Sequence, residues 1–136
     1  FLLTKECLPH LKQAGRGACV LGVSSAMAQH LERETLPYAV SKSALETFTR
    51  CCAIDFGEQG LRFNAIVLGV VDTPMQDFGK SQLGFQEWRS AMANIHPLIA
   101  VGKPRDVAPA AVFLCGPDAE WITGAILPVD GGITAV

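Results

Sequence analysis

The sequence predicts an α/β fold built on a parallel β-sheet, and three observations carry that prediction. Two runs, ACVLGVSS at 18–25 and LRFNAIVL at 61–68, are dominated by apolar residues at consecutive positions instead of alternate ones. Strands covered by helices on both faces read that way, whereas a half-exposed strand alternates. A third strand follows a turn in ITGAILPVDGG at 122–132. The stretches between carry helical spacing, so the order is helix, strand, helix, strand, helix, helix, strand. Alternation of this kind belongs to parallel sheets.

Each element has its own local reason. Leu2, Leu3, Cys7, Leu8 and Leu11 mark an opening helix over 1–13, which Gly15 and Gly17 stop and Pro9 is expected to bend. Residues 26–37 are polar and irregular and end in Pro37. A long helix follows from Tyr38 to about Gly57. Its apolar side is Ala39, Ala44, Leu45, Phe48, Cys52 and Ala53, and Gly57 and Gly60 close it. GVVDTP forms a loop at the C-terminal end of the second strand. Residues 75–97 are mixed, with a short helix around Phe85–Asn94. Pro104 opens the last helix, which runs to about Cys115 with Val107, Ala111, Val112 and Leu114 inward. Gly116-Pro117-Asp118 ends it.

A chain of 136 residues is enough for one domain with a modest core. Hydrophobic residues make up 49% and charged residues 18%, as in a globular protein. A net charge of −2 gives no bulk basic field for nucleic acid. No run of about 18 apolar residues offers a membrane span. Cys7, Cys19, Cys51, Cys52 and Cys115 form no CxxC pair and no zinc spacing, so reduced thiols in a cytoplasmic protein are expected. No repeat, low-complexity tract or linker divides the chain. The opening run FLLTKECLPHLKQAG has no basic n-region and no cleavage site. It reads as the tail of a helix, and the protein looks truncated.

The chemistry centres on the long helix. Tyr38 and Lys42 are four apart, which places them on one helical face. A phenol titrates near 10 and is a weak base at neutral pH, and a neighbouring ammonium favours its phenolate. Such a pair can serve as a tuned acid/base. Ser25 stands at the C-terminal end of the first strand, where ligands bind in open α/β sheets. Its hydroxyl can donate to a substrate carbonyl oxygen. Standing alone, the pair is weak evidence and favours an exposed lysine and a half-buried tyrosine on an ordinary amphipathic helix.

The surroundings add weight. VLGVSSAMAQ followed by Tyr38-Ala39-Val40-Ser41-Lys42 resembles the active-site stretch of the short-chain dehydrogenase/reductase family. Ser25, thirteen residues before the tyrosine, matches the family's catalytic serine better than Ser24. FNAIVLGVVDTPM resembles the loop after the family's sixth strand, GKPRDVAPAAVFLCGPDAEWITG its penultimate helix and turn, and AILPVDGG its last strand. The resemblance spans nearly the whole chain, in order. It implies an incomplete Rossmann-like doubly wound sheet in which residues 1–136 are the C-terminal catalytic portion and hold the last three strands. It implies an NAD- or NADP-dependent oxidoreductase acting on a small-molecule alcohol or ketone. Tyr38 would be the acid/base and also contact the cofactor, Lys42 would depress the tyrosine pKa and bind the nicotinamide ribose, and Ser25 would hold the substrate oxygen. Gly69, the backbone of Val71 and the side chain of Thr73 would contact the cofactor. The long helix and the opening helix form subunit contacts in this family, which implies a homo-oligomer, dimer or tetramer, for the full-length protein.

Two departures matter. Leu68-Gly69 replaces the family's usual Pro-Gly; Gly69 is expected to preserve the close approach of backbone to cofactor. The glycine-rich turn that seats the cofactor pyrophosphate has no counterpart, since Gly15-Arg16-Gly17 precedes a strand instead of following one. The residue that chooses NAD or NADP and the family's catalytic asparagine are absent too. The strand around Cys19–Val23 is therefore expected to show an unpaired apolar edge, and the 136 residues alone are expected not to turn over substrate. A non-catalytic remnant serving as an oligomerisation or binding module is the competing reading, with an extended-type epimerase or dehydratase ranked below it. His10, His30 and His96 lack partner spacing and are expected at the surface or in loops. Cys51 and Cys52 point apart on the helix. Asp130-Gly131-Gly132 is expected to close the last strand. Trp88 and Met92 suit pocket lining or core packing equally.

Overall fold

The computed structural model describes all residues from Phe1 to Val136. Its helices are α1 (Leu2–Ala14), α2 (Leu36–Phe56), α3 (Asp77–Leu83), α4 (Phe85–Asn94) and α5 (Pro104–Cys115). Its strands are β1 (Cys19–Ser25), β2 (Arg62–Leu68) and β3 (Ile126–Val129). The three strands form one sheet in the order β1-β2-β3, and both pairings are parallel. Cys19 to Ser25 run beside Arg62 to Leu68, and Ala65 to Leu68 run beside Ile126 to Val129. The carboxyl ends of all three strands therefore lie at one end of the sheet.

β2 occupies the centre, and Arg62 through Val67 are all buried. Leu61, Phe63, Cys52 and Ala53 form a core cluster, onto which Leu8, Leu11, Phe48 and Phe56 pack. The Phe56 and Phe63 rings lie 5.7 Å apart. Two buried polar residues on β2 act as clamps. Asn64 donates to the Ile122 carbonyl at 2.9 Å and accepts from the Ala125 N–H at 3.0 Å, fixing the turn that feeds β3. The Arg62 guanidinium donates to the Leu114 carbonyl at 2.7 Å and to that of Gly116, holding the end of α5. β1 is less covered than an inner strand, with Val23 48% exposed, because it has a neighbour on one side only. The expected open edge is present.

Several local expectations are corrected. α2 begins at Leu36, two residues early, because Pro37 falls in its first two positions, where the missing N–H has no intrahelical acceptor to lose. A 3₁₀ turn at Ala26–Ala28 interrupts the stretch expected to be irregular. α3 was hidden from sequence reading because it is short, polar and contains Gly79. That glycine lets Trp88 approach: a Cβ there would lie 3.2 Å from the indole. α1 continues through Pro9. Ala44 and Val112, expected inward, are exposed, whereas Glu46 is buried and Leu114 is buried as expected. Trp88 is a core residue, 2% exposed, and Met92 is half-buried. Cys52 is buried while Cys51 is exposed, so the two do point apart.

Candidate active site

Ser25, Tyr38 and Lys42 are brought to the carboxyl end of β1. Ser25 is the last residue of that strand and caps the following 3₁₀ turn, its Oγ accepting from the Met27 N–H at 3.3 Å. Its own hydroxyl proton remains available to a ligand. Ser43 Oγ donates to the Ala28 carbonyl at 3.0 Å and ties that turn to α2. Tyr38 lies in the first turn of α2 and is partly exposed. One turn later, Lys42 places its ammonium 5.5 Å from the Tyr38 ring centroid and donates to the Val23 carbonyl at 2.9 Å.

A buried bond that sequence reading missed aligns strand and helix. Ser24 Oγ donates to Glu46 Oε1 at 2.7 Å, with both residues buried. Strand alternation sends Ser24 inward and the neighbouring Ser25 to the opposite face. The i, i+4 spacing of Lys42 and Glu46 could have signalled the pairing, because both must face the sheet together.

Gly69, Val71 and Thr73 follow β2 at the same end of the sheet. Val71 forms an isolated parallel bridge with Gly102. That bridge uses the Val70 carbonyl (3.0 Å) and the Asp72 N–H (2.9 Å), so Val71's own N–H and C=O point the other way. Thr73 Oγ1 reaches the Val71 carbonyl at 3.4 Å. Gly69 also has a reason within the chain itself. A Cβ there would lie 2.7 Å from both the Asp130 carbonyl oxygen and His96 Nε2. Packing against neighbouring protein atoms demands the glycine.

His96 corrects the expectation of a surface histidine, being 2% exposed. Its Nδ1 lies 2.7 Å from the Met92 carbonyl oxygen, which can only accept, so the ring proton sits on Nδ1. The bare Nε2 then accepts from the Val70 N–H at 3.0 Å. Nothing in the local spacing marks this residue, because its partners lie far along the chain. Lys80 is a second fastening. It contacts Asp72 at 2.6 Å and Asp77 at 3.1 Å and sits 5.1 Å over the Trp88 ring. The bond with Asp72 raises its pKa above the ordinary lysine value. Asp130 ends β3 as expected: its carboxylate accepts from the N–H groups of Gly132 and Thr134 and from the Thr134 hydroxyl. Burial opposes its ionisation, but these bonds hold its pKa below the usual carboxylate value.

A parallel sheet with its strands joined through helices, and a glycine-containing loop at its carboxyl end, has the layout of a partial Rossmann-like α/β domain. A family model described as "Enoyl-(Acyl carrier protein) reductase" matches residues 1–134. The chain is 34% identical over 135 residues to cis-4-hydroxycyclohexanecarboxylate dehydrogenase of Sinomonas cyclohexanicum, covering 99% of this chain and 52% of that protein. It is 36% identical over 132 residues to the 7alpha-hydroxysteroid dehydrogenase of Escherichia coli K12, covering 97% and 50%. Among solved structures, a short chain dehydrogenase/reductase family oxidoreductase from Burkholderia thailandensis superposes with a TM-score of 0.90 at 30% identity, over 98% of this chain and 51% of that one. ElxO with NADP bound superposes with a TM-score of 0.86 at 25% identity, over 98% and 52%. The chain belongs to the short-chain dehydrogenase/reductase family. It spans about half the length of the curated relatives it matches.

Proposed function

We propose that residues 1–136 are the C-terminal catalytic portion of an NAD- or NADP-dependent oxidoreductase that interconverts an alcohol and a ketone in a small molecule. The observation that carries this reading is the joint placement of Ser25, Tyr38 and Lys42 at the carboxyl end of β1, with Lys42 beside the Tyr38 ring. A nicotinamide cofactor supplies the hydride when bound. Ser25 donates a hydrogen bond to the substrate oxygen and so orients it. Tyr38 gives its hydroxyl proton to that oxygen in reduction and takes it back in oxidation. The Lys42 ammonium stabilises the negative charge left on the Tyr38 oxygen and holds the ribose hydroxyls. Fixed to Val23, it is already oriented and has little freedom to lose.

The residues after β2 suit the nicotinamide end of the cofactor. Val71 presents an outward N–H and C=O, a donor and acceptor pair matched to a carboxamide, and Thr73 adds a hydroxyl beside them. The NADP in ElxO and the dehydrogenases among the relatives support the cofactor and the reaction class. The whole enzyme is read as a homo-oligomer, supported by the apolar side chains of Ile54, Val112 and Trp121 in solvent. No helix is long and apolar enough to cross a membrane, and five free cysteines suit the cytoplasm.

The test is a full-length enzyme assayed with NAD(H) and NADP(H) against a panel of alcohols and ketones. Tyr38→Phe should remove nearly all turnover while leaving cofactor binding in place. Retained turnover would overturn the assignment of the acid/base. The 136 residues alone should transfer no hydride, since no glycine-rich turn follows a strand within them; turnover by this chain would refute that part.

A further inference from the structure

We propose that His96 is the positioning residue of the loop that carries Val71, acting as a neutral, Nδ1-protonated acceptor that fixes the outward-facing Val71 amide. The proposal rests on the cofactor reading given above for that loop. Three observations converge on the imidazole. The Met92 carbonyl accepts a hydrogen bond from the Nδ1–H, which leaves Nε2 with a lone pair directed at the Val70 N–H. Gly69 leaves room for the ring at 2.7 Å from Nε2, where a methyl group would collide. Gly131 does the same on the other side, where a Cβ would stand 3.1 Å from His96 Cδ2.

The ring thus sits between the end of β2 and the turn that follows β3. The main chain around it is fastened to the same turn: Leu98 N–H donates to the Gly131 carbonyl at 3.1 Å. Pro97 packs against Gly132, whose Cβ would lie 3.0 Å from the proline ring. Val70 is consequently held on both sides. Its N–H goes to His96 and its carbonyl accepts from Gly102. With Val70 held and Asp72 bound to Gly102, the peptide groups of Val71 have one orientation. An aliphatic residue at position 96 would leave the half-buried Val70 N–H facing an apolar side chain without an acceptor, a costly state. The loop would relieve it by turning toward water, carrying Val71 with it.

Two measurements test this. In protein labelled with ¹⁵N at histidine, the His96 ring should show a protonated Nδ1 and a bare Nε2 in NMR. A proton on Nε2 would overturn the proposal whatever the enzyme does. In the full-length enzyme, His96→Leu should raise the KM for the nicotinamide cofactor about tenfold, the weight of one unsatisfied amide, with kcat changed much less. His96→Gln, whose Oε1 can accept the Val70 N–H, should recover most of that loss. An unchanged cofactor KM in His96→Leu, or equal damage from both variants, would refute a positioning role. A fall in kcat with cofactor KM unaltered would refute it as well. Failure of the enzyme reading itself has its own signature, no hydride transfer with NAD(H) or NADP(H) in the unsubstituted full-length protein, whereas the NMR measurement reads the His96 ring independently of turnover.

Discussion

Replacing Gly69 by alanine separates two explanations for that glycine. If its purpose were only to let a cofactor approach, an added methyl group would leave the free protein's stability untouched. The structure says otherwise. The new Cβ would stand 2.7 Å from the Asp130 carbonyl oxygen and 2.7 Å from His96 Nε2, both below any normal carbon contact. Neither neighbour can yield easily. Asp130 is buried in the turn after β3, and His96 is held through both ring nitrogens. Overpacking of this kind costs about 1–3 kcal/mol. At about 4 °C per kcal/mol for a chain of this size, the unfolding midpoint should fall by about 4–12 °C. Thermal unfolding followed by circular dichroism measures it. Gly57→Ala is the control: Gly57 has φ −59° and ψ −41°, and its Cβ would meet nothing within 4 Å. Alanine fits that helical conformation and should be neutral or stabilising by up to about 1 kcal/mol. Equal midpoints for Gly69→Ala and the parent protein would refute the packing argument.

Other outcomes follow from the same contacts. Phe63→Ala should destabilise the chain by about 3–5 kcal/mol in urea unfolding, because the ring is 1% exposed at the centre of the core. Glu46→Leu removes the acceptor of the Ser24 hydroxyl and should cost about 1–3 kcal/mol, while Glu46→Gln, which keeps an acceptor, should cost clearly less by the same assay. Asp130 contributes to stability through a carboxylate whose pKa folding lowers from 3.8. That contribution is present in full above the unfolded value and fades as pH falls through the lower folded value. Urea midpoints measured from pH 6 downward should therefore drop steeply below about pH 4, and Asp130→Asn should start lower at pH 6 and flatten that drop.

Much of the scaffold was legible in the sequence because its signals are local. Apolar runs at 18–25 and 61–68 announced two strands, since side-chain pattern follows coverage of the two sheet faces; β2 is buried, whereas β1, at the sheet edge, is only half-buried. The four-residue spacing of Tyr38 and Lys42 put them on one side of a helix, and the geometry of the helix delivered them together. The resemblance to the family's serine-to-tyrosine spacing singled out Ser25 over Ser24, and strand alternation sends the two hydroxyls to opposite faces. α3 escaped because seven residues around a glycine have too little periodicity; packing on Trp88 stabilises it.

What only the tertiary structure decided concerns contacts between distant segments. His96 became a buried acceptor through Val70 and Met92, and neither sequence distance nor residue type foretold which nitrogen would be bare. Arg62 and Asn64 interrupt an apolar run, yet they are buried because the ends of α5 and the turn before β3 offer them unpaired carbonyl and amide groups. Gly69 is crowded by Asp130, in the turn after β3, and by His96. The sequence by itself determined the order of the strands and of the helices other than α3, and the candidate chemistry at the carboxyl end of β1, because both depend on neighbours a few residues apart. The fastening of the loop beside that chemistry depended on which segments the sheet brings together, and that is a property of the fold.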